Sequence, residues 1–154
     1  MPDHVRKQIR DYVAAGLGAL ATTGDRVFVG RTRPLAKGHQ PTLLIYTRSE
    51  TSRRAVSGRP PLLERDCTLH IEGRVVAAAP PDDLLDTIAA EIEAGMAAMV
   101  DYQTAKFFGG LALNVRLSAT EAVAEAEGEN HIGGIRLEYL VTYRTAEGAP
   151  TATA

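Results

Sequence analysis

From Leu63 to Val75 the chain alternates. Odd positions carry Leu63, Arg65, Cys67, Leu69, Ile71, Gly73 and Val75, and even positions carry Glu64, Asp66, Thr68, His70, Glu72 and Arg74. Apolar residues on one side and charges on the other, at a period of two, predict a long strand with one solvated face. Pro80-Pro81-Asp82-Asp83 ends that pattern, and Leu85, Ile88, Ile92, Met96 and Met99 continue it at helical spacing. A half-wet strand feeding an amphipathic helix suits an antiparallel α+β sheet with helices on one face. It does not suit a doubly wound fold, whose parallel strands are apolar on both faces. The outer face of such a sheet is left free as a contact surface.

The same reading extends outward. Val5, Ile9, Tyr12, Val13, Leu17 and Leu20 share one face of an N-terminal helix. Asp3 is placed to cap it and Gly24 to close it, while Gly16 and Gly18 weaken its last turn by about 1 kcal/mol each. Arg26–Arg31 reads as a short strand, Thr32–Gln40 as a loop, and Thr42–Thr47 as an apolar, central strand. Arg48–Pro61 is rich in Ser, Thr, Gly, Pro and Arg, has little apolar surface to offset ordering entropy, and reads as a mobile loop. After the second helix, Leu113, Val115 and Leu117 alternate with polar residues. The parity then shifts to Ala122, Ala124 and Ala126, which predicts a bulge. Gly128–Gly134 reads as a hairpin connection. Ile135, Leu137, Tyr139, Val141 and Tyr143 form the inner side of a last strand, with Leu140 on the polar side. The predicted fold is a single α+β domain over residues 1–146. It has a mixed, mostly antiparallel sheet of about five strands, two main helices on one face and the order α-β-β-β-α-β-β. Residues 147–154 read as a disordered tail.

Bulk properties narrow the function. At 154 residues the chain is long enough for a real core. Its net charge of −2 supplies no global basic field to recruit nucleic acid. The single cysteine, Cys67, permits no internal disulfide and no cysteine-based zinc cage. The N-terminal residues lack the apolar run of a signal peptide and no stretch is long enough to span a bilayer, so a soluble, intracellular protein is the expectation.

No constellation of residues points to catalysis. Gly16-Leu-Gly18-Ala-Leu-Ala21 matches the dinucleotide-binding fingerprint by letter, but it lies inside a helix and precedes a strand, where the fingerprint must follow one. His70-Ile-Glu72 echoes the zinc deaminase H-x-E without its P-C-x-x-C partner, and on a wet strand face both residues read as ordinary exposed ones. His4, His39, His70 and His131 fall on four different elements without ligand spacing. Cys67 points with Leu69 and Ile71 and reads as core. Asp82 and Asp83 suit the first turn of a helix, and Phe107 and Phe108 suit core or interface packing. The expectation is a protein with no catalytic residues, no cofactor and no metal.

What remains is surface charge. Arg48, Arg53, Arg54 and Arg59 face one acid, Glu50, in the loop, whereas Glu121, Glu125, Glu127 and Glu129 give a distant arm four negative charges. These are either solvated charges contributing little or complementary patches that meet between neighbouring copies in a ring and fix its register. The eight residues are candidate interface positions chosen from local charge.

Several segments resemble the tail terminator, or minor tail, proteins of long-tailed phages and related prophage or gene-transfer particles. They are the helix Val5–Leu20, Asp25-Arg-Val-Phe-Val29, Pro41-Thr-Leu-Leu-Ile-Tyr46, Leu69-His-Ile-Glu72, Pro81-Asp-Asp-Leu-Leu-Asp86 and Leu137-Glu-Tyr-Leu-Val-Thr-Tyr143. Together they cover most of the chain in order, although none is a strict motif from which interface residues transfer singly. The resemblance implies a hexameric ring that caps the finished tail tube and stops its polymerisation. The ring's partners would be further copies of the chain, the major tail tube protein and a head-completion or connector protein. The expected location is the head-proximal end of the virion tail, after assembly in the host cytoplasm, with DNA free to pass through the lumen and no membrane contact. The Arg/Pro character of residues 48–61 departs from the family's pattern.

Rival readings are another head–tail neck component, a small nucleic-acid-binding module using Arg31, Arg33, Lys37, Arg53, Arg54 and Arg59, and a small ligand-binding enzyme built on the near-fingerprint at Gly16. The acidic balance and the lack of aromatic residues in the basic stretch count against the second.

Overall fold

A computed structural model describes residues 2–30, 41–127 and 130–154. Helix α1 (Val5–Gly16) packs Val5, Ile9 and Val13 inward. Its cap is His4, whose Nδ1 accepts the Arg6 backbone N–H at 3.0 Å, rather than Asp3. Asp3 lies one residue too early, and its carboxylate instead accepts from Lys7, which also reaches Asp11 one turn on. The helix stops at Gly16, short of Leu20, and Gly24, at φ +54°, closes the following turn by donating to the Leu20 carbonyl.

Strand β1 (Val27–Val29) is short and pairs in parallel with β2 (Thr42–Val56). β2 runs antiparallel to β3 (Leu62–Ala77), whose inward residues Cys67, Leu69, Ile71 and Val75 are buried as the alternation predicts. Helix α2 (Asp82–Ala98) buries Leu85, Ile88, Ile92 and Met96, with Asp82 and Asp83 in its first turn. A small hairpin, β4 (Val100–Asp101) with β5 (Lys106–Phe107), and a single 3-10 turn at Phe108–Gly110 follow; no such hairpin is expected from the sequence. Phe107 and Phe108 are core residues. β6 (Asn114–Glu127) and β7 (Asn130–Ala146) complete a five-stranded sheet in the order β1-β2-β3-β7-β6. All of its pairings but β1–β2 are antiparallel. The predicted α+β class and element order hold. The core fills the space between one sheet face and the two helices.

Three further stretches differ from the sequence expectation. Residues 48–56 are strand rather than loop: β2 continues to Val56, paired with β3 except at irregularities between Thr47 and Glu50 and between Arg54 and Val56. Their low apolar content is offset by a cross-strand partner, since β3 is itself held on its other side by β7 over residues 62–77. Gly133 and Gly134 belong to β7 rather than to a long connection. A Cβ at Gly133 would lie 2.6 Å from Pro81 Cγ and 3.1 Å from Leu85 Cδ1, so glycine there lets the strand pass under the start of α2. Residues 147–154 fold back instead of trailing away. Pro150 accepts the Val5 N–H at 2.8 Å, Thr151 accepts from Gln8, and the Ala154 N–H donates to Arg144. These contacts satisfy an otherwise open N–H at the start of α1. The predicted bulge in β6 is present: Ser118 is the extra residue between the pairs Leu117–Tyr139 and Ala119–Glu138. The expected loop at Thr32–Gln40 lies outside the described residues.

Candidate assembly surface

The sheet presents two lateral edges and an outer face. On one side, β1 covers only Leu43–Ile45, so among the described residues β2 from Thr47 onward is an open edge. A bulge begins this edge: between the pairs Thr47–Leu69 and Glu50–Cys67, Arg48 and Ser49 face Thr68 alone. The bulge turns Glu50 toward the core side, where its side chain is 8% exposed. There its carboxylate accepts from Arg6 at 3.2 Å, from Arg65 at 3.1 Å and from the Tyr143 hydroxyl. Arg65 continues the network to Thr145 at 3.0 Å. Burial, and then the Glu50 charge, push the neighbouring Cys67 thiol up to about 12, so it stays protonated and inert. Burial and the hydrogen bond to Glu50 raise Tyr143 in the same way.

Sequence reasoning missed this network, although it left a signal. Arg65 stands at an inward position of β3, and Glu50 is the one acid of an Arg-rich segment.

The four arginines assigned to this side differ in their surroundings. Arg53 pairs with Glu64 and Asp66, and Arg54 pairs with Glu147 at 2.8 Å. Glu64 is shared with Arg144, whose hydrogen bond holds its carboxyl below the usual range. Arg59 is exposed in the turn that joins β2 to β3. Arg48 is exposed and has no ion pair among the described residues. The basic character of this β2–β3 extension, the basic arm, is therefore largely answered from within at Arg53 and Arg54, but not at Arg48.

The opposite edge is β6. Glu121 is exposed there and pairs with Arg136. Glu125 and Glu127 lie at the far end of the strand, in register with Ile132 and Asn130, and Glu129 is outside the described residues. This edge is also apolar: Leu113, Leu117 and Val123 are exposed, and Tyr102 beside it is 72% exposed. A groove of about 430 Å³ runs between α2 and β6, with Met96, Val100, Tyr102, Val115, Leu117 and Tyr139 in its walls. Basic and acidic candidates are thus not brought together within one chain. They lie on opposite sides of a single sheet.

The outer face is less open than the alternation suggests. His70 is 2% exposed, not an ordinary exposed residue: Tyr46 on the neighbouring strand stacks flat on its ring at a centroid distance of 5.1 Å. β3 is an inner strand, so long side chains from β2 and β7 close over it. Its nearest carboxylate is Glu138 at 3.8 Å, and neither ring nitrogen has a hydrogen bond among the described residues. Burial lowers the His70 pKa. Glu72 accepts from the Tyr46 hydroxyl at 3.0 Å and from Arg74 at 2.9 Å. Leu44 and Thr42 are buried as well.

Among the described residues no three His, Cys, Asp or Glu side chains converge as a metal site. His4, His70 and His131 sit on separate elements, and His39 lies outside the described residues, as do Arg31, Arg33 and Lys37. At the near-fingerprint, a Cβ on Gly16 would come within 2.1 Å of Met99 Sδ, so this glycine accommodates close packing at the end of α2.

No family model and no curated protein matches the chain. Among solved structures, a chain from the virion of a native gene transfer agent particle is similar at 18% identity with a TM-score of 0.41. The match covers 90% of this chain and 92% of that one.

Proposed function

We propose that the chain is a structural subunit of a phage-type tail, acting like a tail terminator. Copies join edge to edge into a closed ring that caps the tail tube, ends its growth and offers its far side to head-completion proteins. One observation carries the reading. The open, Arg-bearing β2 edge and the Glu-bearing, partly apolar β6 edge lie on opposite sides of one sheet. Two different surfaces on opposite sides produce a head-to-tail contact, which closes into a ring when the rotation per subunit permits. Six such copies, the number that the family resemblance implies, would hold a tube end through linked contacts that are individually modest. The ring face that docks the tube copies a tube subunit's contact, and the other face does not repeat it, so addition stops.

Electron microscopy of particles from a strain lacking the gene tests this. Overlong tails are the expected result. Tails of normal length left unattached to heads would assign the chain to a head–tail connector instead.

A further inference from the structure

Beside the β2 bulge, α1 and the strand enclose a recess of about 470 Å³ whose walls carry Arg6, Arg10, Thr47, Arg48, Ser49 and Glu50. Three of these six residues are arginines, and the single carboxylate is already engaged by Arg6, Arg65 and Tyr143. Arg10 reaches only a neutral partner, the Thr47 hydroxyl at 2.7 Å, and neither it nor Arg48 has an ion pair among the described residues. Two guanidinium groups without an ion pair among the described residues, beside one recess, suit carboxylates or other oxyanions; the Ser49 hydroxyl is already committed to Thr68. The chemistry alone does not choose between these, but the backbone beside it does. From Thr47 onward the outer edge of β2 has no neighbouring strand among the described residues, so an extended peptide can pair with it and send alternate side chains toward the recess. A nucleic acid strand cannot make those main-chain bonds.

The same chain supplies a peptide of the right kind. From Leu117 to Ile135 the sequence holds four glutamates and no lysine or arginine, and the part of it in β6, up to Glu127, lies along the edge opposite the recess. We propose that the recess receives the acidic end of β6, the strand segment that carries Glu125 and Glu127 in sequence, from a second copy of the chain, its negative charge answering Arg10 and Arg48. The inference rests on the edge-to-edge ring reading and names the contact that would hold it together. It also moves the basic half of the interface from Arg53 and Arg54, which are answered internally, to Arg10 and Arg48.

Sedimentation of the full chain across concentration and salt tests it, with Arg10→Glu/Arg48→Glu, the milder Arg10→Gln/Arg48→Gln, Glu125→Arg/Glu127→Arg, and the two charge reversals mixed. The expected result is at least a tenfold weakening of self-association in each variant alone and recovery when the two reversed variants are mixed, with thermal unfolding of the Gln variant unchanged. Wild-type assembly with unaltered affinity in the Arg variants overturns this contact while leaving the ring reading in place. So does a loss that mixing fails to restore. Tighter wild-type assembly on adding inorganic phosphate also overturns it, because an anion occupying the recess must compete with the carboxylates. A wild-type chain that stays monomeric at all concentrations removes the ring reading and this contact with it.

Discussion

β3 passes through two environments in one strand. From Cys67 to Val75 its inner side lies under the helices among Leu43, Ile45, Ile88 and Leu137, and burial of apolar surface holds it. From Leu62 to Asp66 its neighbours are Arg53, Arg54, Arg144 and Thr142, and the hydrogen bonds are to charged or hydroxyl groups. Between them sits Glu50 with Arg6, Arg65 and Tyr143, a polar plug at the point where the apolar core ends. The body and the β2–β3 arm are stabilised by different physics. The body should be sensitive to volume and indifferent to salt. The arm should be the reverse, which leaves it free to present an edge to a partner.

Mutations can break that contrast. The largest effect belongs to the body: Ile88→Ala, fully buried between α2 and the sheet, should cost about 2–5 kcal/mol in urea unfolding. A loss below about 1 kcal/mol would mean that the helix is not seated as described. Next comes the plug. Glu50→Gln keeps the shape but removes the charge that answers Arg6 and Arg65, and should cost about 1–3 kcal/mol. Gly133→Ala should cost a similar amount, about 1–3 kcal/mol, because Pro81 and Leu85 must move aside for the new methyl. Arg54→Ala removes an exposed pair with Glu147 and should have the smallest effect of the four on urea unfolding, one that vanishes in high salt.

A pH titration sharpens the same boundary. Burial depresses His70 below its ordinary 6.5, so the folded chain takes up its proton later than the unfolded chain does. Its contribution is therefore neutral above pH 6.5, and stability is lost as pH falls from there toward the folded value. His4 shifts the same way for the same first cause, with Arg6 adding to it. Replacing His70 by Phe should therefore remove part of the acid slope of the unfolding free energy, not all of it. An unchanged slope would contradict the buried, stacked placement of the ring.

Much of the body was legible because its positions carry one instruction each. Leu69 and Ile71 can only face inward, and Leu85, Ile88 and Ile92 fit no period but the helical one. The shift at Ser118 showed in the parity of β6 for the same reason. The arm was not legible, because Arg53 and Thr51 state a preference only once their opposite residues are known, and those lie in another segment. His70 failed for a related cause: alternation assigns a side of the sheet, whereas Tyr46 on the next strand decides whether that side is wet. Of the candidate surface, the signs of the charges were legible. That Arg53 and Arg54 pair within the chain, and that Arg10 and Arg48 have no ion pair among the described residues, arises only from the fold.

Whether the chain closes into a ring on a tube end is read from the mass of the particle in solution, with and without tail tubes. A subunit with two unlike edges that closes on itself should populate monomer at 16.5 kDa and one fixed multiple of it, with tubes binding that multiple at their ends. Monomer alone in both conditions, or an open-ended ladder of masses, would contradict it.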